Sequence, residues 1–252
     1  MNPRFNTTLL ALALLAPFGA AAQASLSITV APPPLPYYAQ PPSPGDDYIW
    51  SPGYWAWSAA DGDYYWVPGT WVEAPDVGDL WTPGYWAYEG SGYLWHIGYW
   101  GAAVGFYGGV NYGYGYSGTG YQGGHWNHSH FVRTRVTQRG RSSSPVSFNG
   151  GPGGQRARPP AQGAHPASNE HRAPSEVQMQ HEHAAVTRPT QRASGAHEQP
   201  LVAATPRPMA FEGPGVEHAR GAPPPQRANR PAPQAARGSP PAHPEAPSRR
   251  EH

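Results

Sequence analysis

Residues 48–55 read Tyr48-Ile49-Trp50-Ser51-Pro52-Gly53-Tyr54-Trp55, and the Trp-x-x-Gly-x-Trp core inside this stretch returns three more times. The four cores follow one another at steps of 16, 15 and 14 residues. Such near-regular spacing marks a tandem array of small structural units. The predicted scaffold consists of the Trp and Gly residues of the cores: Trp50, Gly53, Trp55, Trp66, Gly69, Trp71, Trp81, Gly84, Trp86, Trp95, Gly98 and Trp100.

The Pro-Gly pair inside a core predicts a turn. In Pro52-Gly53, Pro fixes φ near −65° and Gly accepts a positive φ, which is the pattern of a type II turn. If these two residues form the loop of a hairpin, Ser51 pairs with Tyr54 and Trp50 pairs with Trp55. A type II turn does not match the twist of the two strands in a hairpin. A longer loop with a β-bulge is therefore an alternative to the two-residue loop.

Further turn-forming residues separate the cores, at Asp61-Gly62, at 76–79 and at 90–92. Short strands between turns predict an all-β fold, namely a small antiparallel meander of about eight strands built from tandem Trp-rich β-hairpins. A repeat this short cannot bury its own aromatic face, so neighbouring repeats must stack. We therefore expect most of the tryptophans to form the core.

The residues before the repeats predict export. Arg4, the apolar run Leu9–Phe18 and Ala22-Gln23-Ala24 form a secretory signal peptide over residues 1–24. The run is shorter than the ~20 apolar residues of a membrane span. We expect a mature chain that begins near Ser25, is not transmembrane and resides in the periplasm or outside the cell.

Composition divides the mature chain into segments. A Pro-rich spacer covers residues 25–47, and the four repeats cover 48–101. A Gly/Tyr-rich segment with possible closing strands follows at 102–138, and 139–252 is rich in Pro, Ala, Arg and His. The last segment has almost no large apolar residue, so we expect a long disordered tail.

The repeats resemble the YXWGXW (WXXGXW) repeat family of exported bacterial proteins, and the resemblance covers residues 48–100. It implies an envelope or secreted location in a Gram-negative bacterium, but it brings no established activity, cofactor or catalytic residue. Ile97, which stands in place of the Pro of the other three cores, is the departure from the pattern and weakens the fourth turn.

The remaining residues contain two candidate sites, one for a metal ion and one for acid–base catalysis. His125, His128 and His130 are weak candidates for a metal site, and the simpler interpretation is that they are polar residues without a shared ligand. Asp61 and Asp63 could be imagined as paired carboxylates, but turns are an ordinary place for Asp. No nucleophile or phosphate-loop motif is present in the sequence. We expect no enzyme and no cofactor.

A binding or structural role has more support, because Trp and Tyr are frequent in binding surfaces. We predict a non-enzymatic exported envelope protein that is structural or binds proteins or glycans. One alternative is a carbohydrate-binding module for envelope glycans, with Tyr54, Tyr85 and Tyr99 facing the ligand. A second alternative is a His-rich periplasmic metal binder.

The charge distribution suggests partners. The segment from Ser25 to Phe131 contains eight acidic residues and no Arg. The segment after Phe131 contains 16 Arg and eight Glu. An acidic head and a basic tail favour association. The expected partners are an envelope glycan, an anionic lipid surface, another envelope protein or a second copy of the chain. Nucleic acid is not expected, because export removes it as a partner.

Overall fold

The computed structural model describes residues 27–134, 136, 145–160, 171–195 and 199–220. Most of its elements are short strands, which confirms the all-β prediction. The strands of the repeats are β2 (Tyr48–Ser51), β3 (Tyr54–Ser58), β4 (Asp63–Val67), β5 (Thr70–Glu73), β6 (Leu80–Thr82), β7 (Tyr85–Tyr88), β8 (Tyr93–His96) and β9 (Tyr99–Gly101). The elements around them are β1 (Ser27–Ile28), β10 (Asn111–Gly113), β11 (Tyr116–Ser117), β12 (Gly124–Asn127), β13 (His130–Arg133), β14 (Phe148–Asn149), α1 (Glu176–Val186), a 3₁₀ helix (Pro189–Gln191), β15 (Val202–Ala204) and β16 (Glu217–His218).

The four sequence cores form two repeat units, each a long antiparallel hairpin. In the first unit, residues 48–73, β3 pairs with β4 and β2 pairs with β5 in one continuous register. The second unit, residues 80–101, repeats this arrangement with β7 against β8 and β6 against β9. Each unit therefore contains two cores that run in opposite directions and face each other.

The predicted hairpin across the Pro-Gly pair is wrong. Trp50 lies opposite Trp71 instead of Trp55, and the first unit reverses direction around Gly62, whose φ is +63°. Gly53 does not have a positive φ, so Pro52-Gly53 is not a type II turn. The chain passes straight through it from β2 to β3. Since Pro cannot donate to a ladder, the Pro-Gly pair interrupts the pairing without reversing the chain.

The Trp-x-x-Gly stretch of each core, where the chain passes between two ladders, is termed a crossing. The first crossing is residues 50–53, the second 66–69, the third 81–84 and the fourth 95–98. Within a unit the two crossings lie opposite each other, because the register continues across the interruption. The crossings are therefore the centres of the two hairpins.

Tryptophan forms the core, as predicted. Seven of the ten tryptophans are buried, namely Trp50, Trp55, Trp66, Trp71, Trp81, Trp86 and Trp100. Cross-strand pairs have ring centroids 5.2 to 5.3 Å apart in tilted or edge-on arrangements, namely Trp50–Trp71, Trp55–Trp66, Trp81–Trp100 and Trp86–Trp95. Such arrangements add about 0.5 to 1.5 kcal/mol per pair beyond the burial of the rings.

The two units are joined by direct contacts. The indole of Trp86 donates a hydrogen bond of 2.8 Å to the carbonyl of Trp55. The buried hydroxyl of Tyr116, from the Gly/Tyr-rich segment, lies 3.2 Å from the carbonyl of Trp50 and 2.9 Å from that of Trp81. Tyr116 thus bridges equivalent positions of the first and second units.

The Pro-rich lead-in packs against the repeats. β1 extends the outer edge of β8, and the carbonyls of Pro34 and Pro41 accept hydrogen bonds from the indoles of Trp55 and Trp71 at 3.0 and 2.9 Å. After the repeats, β10–β11 and β12–β13 form two further hairpins. Residues 27–134 therefore surround one aromatic core.

Part of the segment predicted to be a disordered tail is ordered, so that prediction is wrong for residues 145–160, 171–195 and 199–220. β14 pairs in parallel with β7, and residues 171–220 contribute α1 and β15, which pack on the first unit. Small side chains allow this close approach: Ala185, Ala203 and Ala204 are fully buried. Gln191, also fully buried, donates to the carbonyls of Trp66 and Val202 at 3.2 and 2.7 Å.

The predicted signal peptide, residues 1–24, and the part of the predicted tail at 221–252 lie outside the described residues. Within the described part of the chain, no helix has the length and apolar character that crossing a membrane requires.

Candidate functional site

The Gly of each core is covered by the first Trp of the core that faces it. A Cβ on Gly53 would lie 2.4 Å from Cζ2 of Trp66 and 2.7 Å from the backbone N of Gly69. Trp50 covers Gly69 in the same way, and the second unit repeats both contacts. Gly is needed at these positions because a Cβ would collide with the facing indole and backbone, and not because the chain adopts a positive φ there. The repeat motif thus encodes the interior packing of a unit.

The indole N–H groups of the cores are mostly used inside the molecule. Trp66 donates to the carbonyl of Ala203 at 3.0 Å, and Trp100 donates to Oε1 of Gln178 at 2.8 Å. The indole N–H of Trp50 is buried without a hydrogen-bond partner in the described part of the chain. Most of the scaffold residues therefore lie in the interior and do not present a surface to a ligand.

The three tyrosines predicted to face a ligand already have stacking partners within the chain. Tyr54 stacks on Trp95 with centroids 5.1 Å apart, and its hydroxyl donates to Oε2 of Glu182 at 2.9 Å. Tyr85 stacks on His96 at 4.5 Å, and Tyr99 stacks on His171 at 3.7 Å. Each tyrosine is half-buried, with one face of its ring occupied. No sequence pattern indicated that His171 would stack on Tyr99 or that α1 would contact Tyr54.

The three histidines proposed as weak metal ligands are exposed on the β12–β13 hairpin. His128 Nδ1 lies 2.8 Å from Oδ1 of Asn127, and His130 Nδ1 lies 3.6 Å from Oδ2 of Asp47. Over the described ranges, no group of three or more His, Asp or Glu side chains could hold a metal ion. His125 likewise belongs to no such group.

A groove of about 1250 Å³ opens between the Pro-rich lead-in and β13. Its floor is aromatic, formed by Trp71, Tyr114 and Phe131, and all three are buried. Polar and charged side chains form its rim: Gln40, Ser43, Asp46, Asp47, His130, Arg133, Thr134 and Arg220. Aromatic walls with a few polar groups are typical of a small-molecule site.

Arg133 ties the two sides of the groove together. Its guanidinium lies 5.9 Å from the ring centroid of Trp71 and 3.3 Å from Oδ1 of Asp46, and it also donates to Oγ of Ser43 at 3.1 Å. Asp47 accepts a hydrogen bond of 2.6 Å from the backbone N of Phe131 and has a positive φ of 62°. These contacts hold the lead-in against β13 and fix the width of the groove.

The charges on the rim are largely compensated. Arg133 pairs with Asp46, and Arg220 pairs with Glu217 at 2.9 Å. Both pairs are partly exposed, so each contributes little to stability. Their effect on the groove is to leave a polar surface without a strong net charge.

A second cluster of polar groups joins α1 to the first unit. His181 is buried, the backbone N of Met209 donates to its Nδ1 at 2.9 Å, and its Nε2 lies 3.0 Å from the carbonyl of Pro68. This arrangement places the ring hydrogen on Nε2, since Nδ1 must accept. Burial lowers the pKa of His181 to about 4.

Glu182, the next residue of α1, accepts hydrogen bonds from two tyrosine hydroxyls. Tyr54 donates to its Oε2 at 2.9 Å and Tyr65 to its Oε1 at 3.1 Å. Burial, and then the charge of Glu182, raise the pKa of both tyrosines. The cluster therefore fixes neutral hydroxyl groups and a neutral imidazole at the junction of α1 with the repeats.

These features define a class of protein, an all-β repeat protein in which facing Trp-x-x-Gly-x-Trp cores close on each other. The model of the WXXGXW repeat family matches the chain in two copies, at residues 45–72 and 80–100. Each matched copy coincides with one repeat unit and so contains two cores. Comparison with curated proteins and with solved structures finds no match.

Proposed function

We propose that this protein is a non-enzymatic, exported envelope protein that acts by binding, and that the groove beside β13 is its binding site. The observation that carries the proposal is the contrast between the repeats and the groove. The repeat tryptophans are mostly buried, whereas the groove combines an aromatic floor, a polar rim and a volume of about 1250 Å³. The repeats then serve as the scaffold of the groove.

The groove favours a polar ligand of low charge, such as an envelope saccharide. Its rim carries two carboxylates, Asp46 and Asp47, and two guanidinium groups, Arg133 and Arg220, and this balance disfavours a strongly anionic or cationic ligand. Gln40, Ser43 and Thr134 provide groups that can exchange hydrogen bonds with hydroxyls. Aromatic side chains such as Trp71 suit the apolar faces of sugar rings. The volume has room for more than one sugar residue, since small-molecule pockets commonly measure about 300 to 1,000 Å³.

Export is the part of the proposal that rests on the sequence. The charged start, the short apolar run and the Ala-x-Ala site before Ser25 support a cleaved signal peptide. The absence of Cys from the chain means that the fold needs no disulfide in an oxidising compartment.

Filling the groove tests the proposal. Ala39→Trp places a large side chain in the groove lining, whereas Ala60→Trp adds the same side chain at an exposed site in the turn of the first unit. Isothermal titration calorimetry against a panel of envelope glycans should show binding to the native protein. We expect Ala39→Trp to weaken that binding at least tenfold and Ala60→Trp to leave it unchanged.

Two results would count against the groove. One is that no glycan of the panel binds the native protein at millimolar concentration. The other is that a glycan binds with equal affinity to the native protein and to Ala39→Trp. Circular dichroism of both variants, compared with the native protein, checks that the fold is intact.

A further inference from the structure

The loop between β15 and β16 is held against the molecule mainly at one residue. Residues 206–216 are termed the covering loop, and Phe211 is the one buried residue among them. In the part of the chain that the structure describes, a single backbone group of this loop bonds outside it: the backbone N of Met209 donates to Nδ1 of His181 at 2.9 Å. The ring of Phe211 packs against the same imidazole, with centroids 5.3 Å apart. These two contacts of the covering loop therefore meet at His181.

The covering loop lies over an apolar cluster on the first unit. Phe211 and the half-buried Val216 pack there with Tyr65 and Val67 of β4 and with Ala185 of α1. This cluster is separate from the aromatic core of the repeat units. Release of the loop would therefore uncover apolar side chains and leave the cross-strand tryptophan pairs in place.

Met209 has a backbone conformation that needs support. Its φ is +63°, in the left-handed region that is unfavourable for a residue with a side chain. The side chain of Met209 is 43% exposed, so its packing contributes little to holding this conformation. The hydrogen bond to His181 offsets the unfavourable φ, and loss of that bond favours release of the loop.

The bond from Met209 requires a neutral imidazole. Nδ1 of His181 is the acceptor, while Nε2 carries the ring hydrogen and lies 3.0 Å from the carbonyl of Pro68. A protonated imidazole has a hydrogen on both nitrogens. The N–H of Met209 and the new N–H at Nδ1 would then face each other, so protonation replaces an attractive contact with a repulsive one.

The acidic group next to His181 is already engaged. Both carboxylate oxygens of Glu182 accept hydrogen bonds from tyrosine hydroxyls, Oε2 from Tyr54 of β3 and Oε1 from Tyr65 of β4. Burial raises the pKa of both tyrosines, so they stay neutral. Neither ring nitrogen of His181 contacts a carboxylate, because both are occupied by backbone groups.

The other charged groups near this junction do not favour a second cation. The guanidinium of Arg188, after α1, lies 4.3 Å from the ring centroid of Phe211, and Glu212 of the covering loop lies 3.9 Å from Arg188. His183 of α1 and Arg207 of the covering loop are exposed. A proton on His181 therefore finds no acidic partner while the loop is closed. Consistent with this, burial lowers the pKa of His181 to about 4.

We propose that His181 is an acid-sensitive switch that releases the covering loop while both repeat units stay folded. The proton binds at Nδ1, the bond from Met209 is lost, and the apolar cluster on the first unit becomes accessible. This goes beyond ligand binding in the groove, and no residue of the switch lines the groove.

Hydrogen exchange of the ¹⁵N-labelled protein at pH 7 and pH 5 tests this proposal. We expect the protection of the Met209 amide to be about twentyfold lower at pH 5, because the imidazole titrates near 6.5 in the open loop and at about 4 in the closed one. About 1 M urea should not speed this exchange, since opening a loop exposes little new surface. The amides of the β3–β4 ladder should be more protected, and their exchange should accelerate in urea.

Variants of three histidines assign the response. His181→Gln cannot titrate, yet its amide can still accept from Met209 and donate to the facing carbonyl. We expect the protection of its Met209 amide to change less than about twofold between the two pH values. His183→Gln is the matched control on the exposed side of the same helix, and His218→Gln is the control on β16. Both controls should keep the full change of the native protein.

Phe211→Ala tests whether the loop opens separately from the rest of the protein. It removes the buried ring and keeps His181. The Met209 amide of this variant should lose its protection at pH 7 already, while the β3–β4 ladder stays protected. If His181→Gln leaves the Met209 amide unprotected at both pH values, the two control variants decide, because a pH dependence that survives in both assigns it to His181.

Three results would overturn the proposal. The first is equal protection of the Met209 amide at pH 7 and pH 5 in the native protein. The second is that this amide exchanges with the same protection and urea dependence as the β3–β4 ladder, which would mean that the loop opens only when the whole protein unfolds. The third is that His183→Gln or His218→Gln abolishes the change, which would make another histidine the switch.

Discussion

Trp66 lies over Gly53 so closely that a methyl group on this glycine would be 2.4 Å from the ring carbon Cζ2. Gly53→Ala should therefore destabilise the protein by about 3 kcal/mol, because the indole and the facing backbone of Gly69 must both move. Urea unfolding followed by tryptophan fluorescence measures the change. Gly101→Ala is the control within the repeats, since its nearest neighbour would be 3.7 Å away. A cost of less than 1 kcal/mol for Gly53→Ala would show that the indole does not pack as described.

Tyr116 joins the two units through one buried hydroxyl. Tyr116→Phe keeps the ring and removes the donor shared by the carbonyls of Trp50 and Trp81. We expect a loss of about 1 to 2 kcal/mol in the free energy of unfolding, the usual cost of leaving a buried acceptor unsatisfied. Tyr88→Phe, whose exposed hydroxyl donates to Gly90, should cost less than about 0.5 kcal/mol in the same urea titration. Equal losses for the two variants would contradict the bridging role.

His181 makes the stability of the protein depend on pH. Its pKa is lowered to about 4 in the folded protein, and an unfolded histidine titrates near 6.5. Between these values the unfolded chain binds more protons, so stability is greatest above pH 6.5 and falls as the pH drops towards 4. The slope approaches 1.4 kcal/mol per pH unit and the total is about 3 kcal/mol.

His181→Gln isolates this contribution from the other titrating groups. The variant should be less stable than the native protein at pH 7, and the difference between the two should shrink as the pH falls from 6.5 to 4.5. Urea titrations of both proteins at half-unit steps measure it. A difference that stays constant over this range would mean that folding does not lower the pKa of His181.

Glu182 fastens α1 to the repeats through two tyrosine hydroxyls. Glu182→Ala should increase hydrogen exchange along residues 176–186 and lower the free energy of unfolding by about 2 kcal/mol, since charge-assisted bonds from Tyr54 and Tyr65 are lost. Glu176→Ala is the control on the same helix, because Glu176 is exposed and bonds only to Gln180 among the described residues. If both variants exchange at the native rate, Glu182 does not hold the helix.

The repeat architecture was largely predictable from the sequence. The regular return of the Trp-x-x-Gly-x-Trp core gave the repeats, the all-β class and the tryptophan core. These inferences depend on composition and spacing, which a single sequence displays directly. The presence of hairpins was also predictable, because turn-forming residues such as Asp61-Gly62 separate the cores.

The pairing of the strands was not predictable from local turn preference. Pro-Gly has the sequence of a type II turn, yet Gly53 is required by contacts with Trp66 and Gly69, which are 13 and 16 residues away along the chain. A local pattern cannot distinguish a glycine that turns from a glycine that is covered. The family match has two copies, and each copy spans two cores. This pairing of cores is the information that the local pattern lacks.

The packing of residues 171–220 was missed for a related reason. These residues contain few large apolar side chains, and composition alone predicts disorder for such a segment. Gln178 and Gln191 instead use side-chain hydrogen bonds to the interior, while Ala203 and Ala204 fit where larger residues would not. The groove was missed too, because its floor and rim come from segments far apart in the sequence.

Because two facing cores cover each other's glycines, the number of cores in such a protein should be even. A core placed alone has no partner indole for its glycine, and its own indole has no glycine to rest on. Removing residues 80–101 would delete two cores and leave the first hairpin with all its internal contacts. Removing a single core would leave one glycine without a covering indole and one indole without a glycine to pack on. Chains built on this motif can therefore lengthen or shorten without breaking a glycine–indole contact only in steps of two cores.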